Sequence, residues 1–235
     1  MDGPPVSRRA RYRAATREEA KEIALRQVAA GGGAAVSLNA IGKAMGLSGP
    51  ALYRYFASRD ALLTELIVDA YGDLAAAMEA ADVAARQGAG PAATARALAA
   101  ALRAWALAQP QRYLLLYGTP VAGYVAPPQT IVLTRRIMAP FLTALAALPA
   151  PESAADPRGA VLDAQLTSWA HQTDQAVPGP VLRRGLIWWA RMHGLISLEV
   201  EGHFQSMGFD PALLYDAEVD ALLAPGETVG EPPGA

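Results

Sequence analysis

The stretch Ser37–Leu63, SLNAIGKAMGLSGPALYRYFASRDALL, decides how this chain folds. Ser37, Ser48 and Ser58 each stand just ahead of a helix-forming run, where a hydroxyl can accept from an orphan N–H of the first turn. Ile41, Ala44 and Met45 recur at i, i+3 and i+4, which predicts one buried face on a short helix. Gly46 then permits a left-handed turn that other residues resist. Gly49 and Pro50 fall in the first turn of a third helix, where a missing N–H costs nothing. Leu52 and Phe56 continue the core from that helix. With those positions turned inward, Gly49, Pro50, Ala51, Tyr53, Arg54 and Tyr55 face outward or sit at the rim.

On the N-terminal side, Thr16–Gly32 reads TREEAKEIALRQVAAGG. Thr16 and Glu19 match a capping box, Ile23, Val28 and the alanines give an inward face, and the following glycines stop the helix. Ahead of it, SRRARYR (Ser7–Arg13) has no apolar periodicity and predicts a flexible basic arm over 1–15, carrying Arg8, Arg9, Arg11 and Arg13. On the C-terminal side, Ser58 opens a long amphipathic helix. After a Gly-Pro break at 88–91, helices are predicted over 92–108, 111–116, 129–148, 159–175, 181–205 and 211–223. A proline-rich connection occupies 117–128, an exposed loop 148–157, and a tail of disorder-like composition 225–235. No strand pattern and no fixed-period repeat occurs. The expected architecture is all-α: an N-terminal three-helix helix-turn-helix domain over 16–62, joined by the long fourth helix to a C-terminal helical bundle over 63–224.

Composition agrees. Apolar residues make up 52% of the 235, enough for a sizeable core, and the alanine-rich balance favours helix. There is no cysteine, which excludes disulfides, thiolate metal sites and cysteine nucleophiles. The Met-Asp-Gly-Pro-Pro start lacks a signal-peptide core, and no run approaches the ~18 apolar residues of a membrane span. A cytoplasmic protein with no membrane partner is expected. The net charge of -2 hides a division. Lys and Arg outnumber Asp and Glu ten to five within residues 1–60, and are outnumbered ten to seventeen beyond them. A basic head on an acidic body predicts that the head meets a polyanion.

Catalysis finds little support. His171 with Asp174, and Glu199 with His203, share helix faces and are the pairs best spaced for metal or proton chemistry. Neither has a third ligand at a recognisable spacing. AGGGAA at 30–35 lacks the lysine of a phosphate loop, and no nucleophile elbow occurs. No catalytic residue, metal or cofactor is expected.

Residues 16–71 resemble the DNA-binding domain of the tetracycline repressor (TetR) family. Ser37, Ile41, Gly46, Leu47, Ser48, Leu52, Tyr53, Phe56 and Leu62 match the family pattern in register. The resemblance implies phosphate contacts from Tyr53 and Arg59. Gly42 departs from the usual alanine, and Tyr55 stands where histidine is frequent, though its hydroxyl can still donate to phosphate. Base reading falls to Ser48, Gly49, Pro50, Ala51 and Arg54. Of these only Arg54 has the fork for a bidentate guanine contact, while Pro50 and Ala51 suit thymine methyls. The helix N-termini at Ser37, Ser48 and Ser58 add N–H donors for phosphate oxygens. The arm's arginines either enter a minor groove or attract DNA nonspecifically, and in both cases steepen the salt dependence.

Beyond residue 90 the resemblance is narrower. WWARMHGLISLEVEGHF (188–204) is similar to the Trp-x-x-x-His-Gly stretch of one TetR subgroup, through Trp189, His193 and Gly194. QPQRYLLLYG (109–118) resembles a Pro-x-x-Tyr segment of that subgroup. The family implies a homodimer through 181–205 and 211–223, and a small-molecule pocket. Spacing puts Leu182, Leu186, Trp189, His193, Ile196 and Val200 on one stripe and Ile187, Arg191, Leu195 and Leu198 on a second, one for the bundle and one for a twin. His193 is read as plain core, pocket wall or dimer interface. Candidate ligand-binding residues are Trp105, Tyr113, Tyr117, Tyr124, Phe141, Trp169, His171, Trp189 and His193, for an unknown effector that is largely apolar or aromatic. The expected function is a repressor on a near-palindromic operator of double-stranded DNA, its recognition helices about 34–36 Å apart until effector widens them. The alternative is a helical protein–protein adaptor that binds no DNA.

Overall fold

The computed structural model describes residues 7–88, 90–149, 157–173 and 176–224. Within them the chain is α-helical, with no strand. In order come α1 Arg8–Gly31, a 3-10 turn Gly33–Ala35, α2 Leu38–Ala44, α3 Gly49–Leu52, α4 Arg59–Ala85 and α5 Pro91–Ala108. Then follow α6 Pro110–Tyr117, α7 Gln129–Ala146, α8 Pro157–Gln172, α9 Gly179–Val200 and α10 Pro211–Leu223. Two compact units divide them, residues 1–74 with 106–134 and residues 75–105 with 135–235. The boundary expected at 62–63 falls inside α4, so chain order and compact units do not coincide.

The first unit is organised around Ile23, Ala24, Val28, Val36, Ile41, Leu52, Phe56 and Leu62, all buried, with Leu115, Val121 and Tyr124 packed against them. Burying a side chain of Leu52's size contributes ~2–3 kcal/mol. Ser37 accepts from Ala40 N at 3.3 Å and Ser58 from Ala61 N at 3.0 Å, as the capping positions predict. Gly46 takes φ +67°, the left-handed value the turn requires. On α2, however, the inward residues are Leu38, Ile41 and Gly42, while Ala44 is exposed. The helix is rotated from the expected stripe because Leu38, the larger apolar group, takes the core position.

Helix α1 corrects the expected arm. Residues 8–15 are its first turns, capped by Ser7, whose Oγ accepts from Ala10 N at 3.2 Å. Thr16, expected to be the cap, is buried and its Oγ1 donates to the Tyr12 carbonyl at 2.9 Å. Alanine and arginine are strong helix formers, and their propensity extends the helix past a region without apolar period. Residues 1–6 and the tail at 225–235 lie outside the described residues.

In the second unit, α8 and α9 meet closely. A Cβ built on Gly179 would stand 2.0 Å from the Asp163 carbonyl oxygen, so only glycine fits there. Gly179 N donates to Thr167 Oγ1 at 3.2 Å, and Arg183 grips Asp163 at 2.7 and 3.3 Å. Arg103 on α5 holds Glu199 on α9 through bonds of 2.8 and 2.5 Å and lies 5.8 Å from the Tyr215 ring of α10. The Tyr215 hydroxyl donates to the Ala99 carbonyl at 2.9 Å. Helix α9, predicted to reach 205, ends at Val200 because Gly202 turns left-handed at φ +80°. Its buried stripe is Leu182, Gly185, Trp188, Met192 and Ile196, one step from the expected one. Leu186 of the expected stripe is 50% exposed.

Candidate nucleic-acid interface

Helix α3 is short, and two further turns carry it onward. Arg54 N donates to the Ala51 carbonyl at 3.2 Å and Tyr55 N to the Leu52 carbonyl at 2.9 Å. Leu52 and Phe56 are essentially fully buried and fix its inner side. Tyr53 is 50% exposed, and Arg54 is exposed with no ion pair to any described residue. Ala51 is half-buried, while Ser48 is exposed.

Ser48 does not cap α3 through its side chain, contrary to expectation. A cap needs the N–H of the second or third helical residue. The second is Pro50, which has none, and Ala51 N donates instead to the Ser48 carbonyl at 2.8 Å. The hydroxyl is therefore left on the surface beside the helix start. Gly49 and Pro50 occupy the first two helical positions.

Around this helix the basic residues separate by role. Arg8, Arg9, Arg11 and Arg13 are exposed on the first turns of α1, with Arg13 6.0 Å from the Tyr55 ring centre. Lys43, exposed at the end of α2, joins them; its charge had marked the basic head without being assigned to the site. Arg59 differs. Its Nε donates to the Val36 carbonyl at 2.9 Å and a terminal nitrogen to the Gly33 carbonyl at 2.8 Å, with Asp60 3.6 Å away. Through these bonds the guanidinium ties the start of α4 to the 3-10 turn, whose Gly33 carbonyl also accepts from Val36 N at 3.4 Å. Tyr55 is half-buried against the core, so its ring supports α3 from the rim.

The nine predicted ligand residues are divided between the units. In the first, Tyr113 and Tyr117 lie 5.3 Å apart and Tyr71 meets Tyr117 edge-on at 6.3 Å. The Tyr124 hydroxyl is 3.0 Å from Thr64 Oγ1. Burial, followed by the neighbouring Tyr71 and Tyr113, pushes the Tyr117 phenol well above its usual range. Tyr71, missed in the sequence, sits on α4, where its position shows only once α6 is packed beside it.

In the second unit Phe141 is buried against Trp188, ring centres 3.8 Å apart. Trp189 is half-buried and 4.0 Å from His193, whose imidazole is held down to about 4 by burial. Trp105 is buried. Trp169 is 48% exposed and His171 is exposed, both on α8. Trp188 was missed because Gly185 occupies its stripe one turn earlier and hides the periodicity; a Cβ there would stand 2.6 Å from Leu142 Cδ2. None of the nine residues lines the open cleft of about 480 Å³ formed by Glu18, Lys21, Asp69, Asp73 and Arg112 in the first unit.

Of the pairs considered for catalysis, Glu199 and His203 bond to other partners. Glu199 is engaged by Arg103, and His203 bonds Glu201 at 3.3 Å beyond the end of α9. Asp174 lies outside the described residues. Among the described residues no helix is long and apolar enough to cross a membrane.

Comparison with known proteins agrees with this geometry. Residues 22–66 match the model of bacterial regulatory proteins of the tetR family, and residues 95–222 match a tetracyclin repressor-like C-terminal domain. The chain is 36% identical over 214 residues to the HTH-type transcriptional regulator Rv1816 of Mycobacterium tuberculosis, covering 86% of this chain and 88% of that protein. It is similar to the crystal structure of regulatory protein SCO4313, with TM-score 0.74 and 46% identity over 93% of this chain and 99% of that one. The TetR family regulator PfmR from Thermus thermophilus shares the fold, at TM-score 0.55 and 19% identity, covering 88% and 96% of the two chains. Such regulators bind DNA, act as dimers with small-molecule effectors and are not enzymes, so the adaptor alternative is not favoured. The chain belongs to the TetR family of helix-turn-helix transcriptional regulators.

Proposed function

We propose that the chain is a homodimeric repressor that holds a near-palindromic operator until a small apolar or aromatic effector binds its C-terminal domain. One observation carries the reading: within Tyr53–Phe56, Tyr53 and Arg54 are exposed while Phe56 and the preceding Leu52 are buried. A helix anchored so firmly from behind presents its polar side to a groove. Arg54 supplies the bidentate guanine contact, Tyr53 a phosphate contact, and Ser48, Gly49, Pro50 and Ala51 the close approach to base edges. Ser37 and Tyr55 contribute further phosphate donors. The Arg8, Arg9, Arg11 and Arg13 turns of α1 add electrostatic attraction, with a minor-groove entry as its specific form.

The dimer uses 181–205 and 211–223, with α8 alongside. Exposed Leu186, Ile187 and Leu198 on α9, Val161, Leu162 and Trp169 on α8 and Leu213 and Leu214 on α10 support this assignment. Ala190 and Gly194, which are not buried on α9, let a second backbone come near. Trp189, His193 and Gly194 support a place in the Trp-x-x-x-His-Gly subgroup. The effector meets an aromatic lining supplied, within the second unit, by Phe141, Trp189 and His193. It releases DNA only insofar as it binds the wider separation of recognition helices more tightly than the narrower one.

The test is selection of duplexes from a random-sequence pool, followed by titration across salt. Arg54→Ala is expected to lose ~1–3 kcal/mol of discrimination at one base position. Tyr53→Phe is expected to weaken binding about equally on all sequences. If both variants select and bind as the wild type does, this face of α3 is not the reading surface.

A further inference from the structure

We propose that Arg17 is a positioning residue for operator recognition, setting the pitch of α3 against α4 without itself touching DNA. The inference rests on the reading of α3 as the DNA-contacting helix. Helix α1 carries Arg13, Arg17 and Lys21 at steps of four, which places the three cations in one row. Each faces a different part of the head. Arg13 lies over the Tyr55 ring at 6.0 Å. Arg17 donates through one terminal nitrogen to the Tyr55 carbonyl and through the other to the Glu65 carboxylate, and its guanidinium lies 4.5 Å from the Phe56 ring centre. Lys21 holds Asp69 at 2.8 Å, Glu18 at 3.2 Å and Glu65 at 3.6 Å.

The Tyr55 carbonyl belongs to the last turn of the recognition segment, where helical carbonyls run out of partners. Glu65 stands on α4. Arg17 thus joins the end of the reading helix to α4 with a planar fork, and Phe56 fixes the plane of that fork from below. Lys21 keeps Glu65 and Asp69 in place from the next turn. Burial works against its charge, but the bonds and charges of Asp69 and Glu18 outweigh that, and its pKa stands above the ordinary lysine value.

A phosphate role for Arg17 does not fit. Both terminal nitrogens are engaged, one face of the guanidinium is covered, and its charge is opposed by Glu65. Base contacts, unlike phosphate contacts, depend on orientation to a fraction of an ångström, so a change in helix pitch acts on sequence reading first.

The experiment uses the full chain, the duplex that wild type selects from a random pool, and a scrambled duplex of equal length. Arg17→Ala is expected to weaken the selected duplex at least about tenfold, ~1.4 kcal/mol, and the scrambled one less than about threefold. The salt slope is expected to stay unchanged. Arg17→Lys restores part of the discrimination, because one ammonium cannot serve both acceptors in the same plane. Glu65→Gln, which leaves the bond to Tyr55 in place, is expected to show a smaller loss in the same direction, and it keeps the test open where Arg17→Ala unfolds. Equal losses on both duplexes with a slope lowered by ~0.9 would make Arg17 a phosphate contact and overturn the inference. Undiminished discrimination in both Arg17→Ala and Glu65→Gln would also overturn it. Failure of wild type to select any duplex would sink the reading of α3 as well, and is thereby distinguishable.

Discussion

Arg59 and Val36 are joined by a hydrogen bond of 2.9 Å from the arginine Nε to the backbone carbonyl, with a second bond of 2.8 Å to Gly33 alongside. One residue at the start of α4 thereby secures the turn that separates α1 from α2. A planar fork serves both carbonyls; an ammonium does not. Arg59→Lys keeps the charge and is expected to lower unfolding stability by ~1–2 kcal/mol, seen as a reduced urea midpoint at constant slope. DNA binding by the folded variant should keep its salt dependence. A slope reduced by ~0.9 in Arg59→Ala would return the residue to the phosphate contacts.

Gly42 departs from the family's alanine without a packing reason. A Cβ there would meet Leu47 O at 3.8 Å and Leu52 Cβ and Ser48 O at 3.9 Å, all ordinary contacts. Gly42→Ala should therefore stabilise the head by ~0.5–1 kcal/mol, through a less flexible unfolded chain and better helix propensity. Chemical denaturation checks this, and a destabilised variant would show that α2 sits closer to α3 than these distances say.

Ile187 is 43% exposed on the face of α9 proposed to meet the twin. Ile187→Glu would bury an unpaired carboxylate in that interface at a cost of several kcal/mol. The dimer dissociation constant is expected to rise at least ~100-fold in sedimentation equilibrium, with operator affinity falling alongside. A variant that stays dimeric would move the interface away from this face.

His193 links stability to pH. Burial lowers its folded pKa to about 4, below the ordinary value of 6.5. Between those values the unfolded chain binds the proton more readily. The contribution is fully present above pH ~6.5 and is lost as pH falls towards ~4, amounting to about 3 kcal/mol. His193→Gln should flatten that part of the stability profile in denaturation series run across this range. An unchanged profile would mean that other groups carry the acid limb.

The head was largely legible because local rules and tertiary demands agree there. Serine caps at Ser37 and Ser58, the left-handed Gly46 and the anchors Leu52 and Phe56 all follow from short-range chemistry. Ser48 escaped the rule because the proline two residues on removes the N–H a cap would serve. The tether made by Arg59 was not legible because its acceptors lie 23 and 26 residues back, a separation no local pattern shows. In the C-terminal domain the phase of α9 was displaced by one step. Glycine at 185 occupies a core position without adding hydrophobicity, so counting apolar residues favoured Trp189 over the buried Trp188.

By itself the sequence determined an all-helical chain, a helix-turn-helix head and the separation of a basic from an acidic part, since helix propensity, capping and charge act over a few residues. Tertiary structure alone decided which cations are tethered and which are presented. Arg17, Lys21 and Arg59 find acceptors on distant elements, while Arg54 stands exposed without an ion pair among the described residues. It also decided that α1 begins at Arg8, and that Trp169 and His171 stand exposed on α8. A guanidinium's role depends on which carbonyl or carboxylate lies within about 3 Å, and that distance is a property of the packed chain.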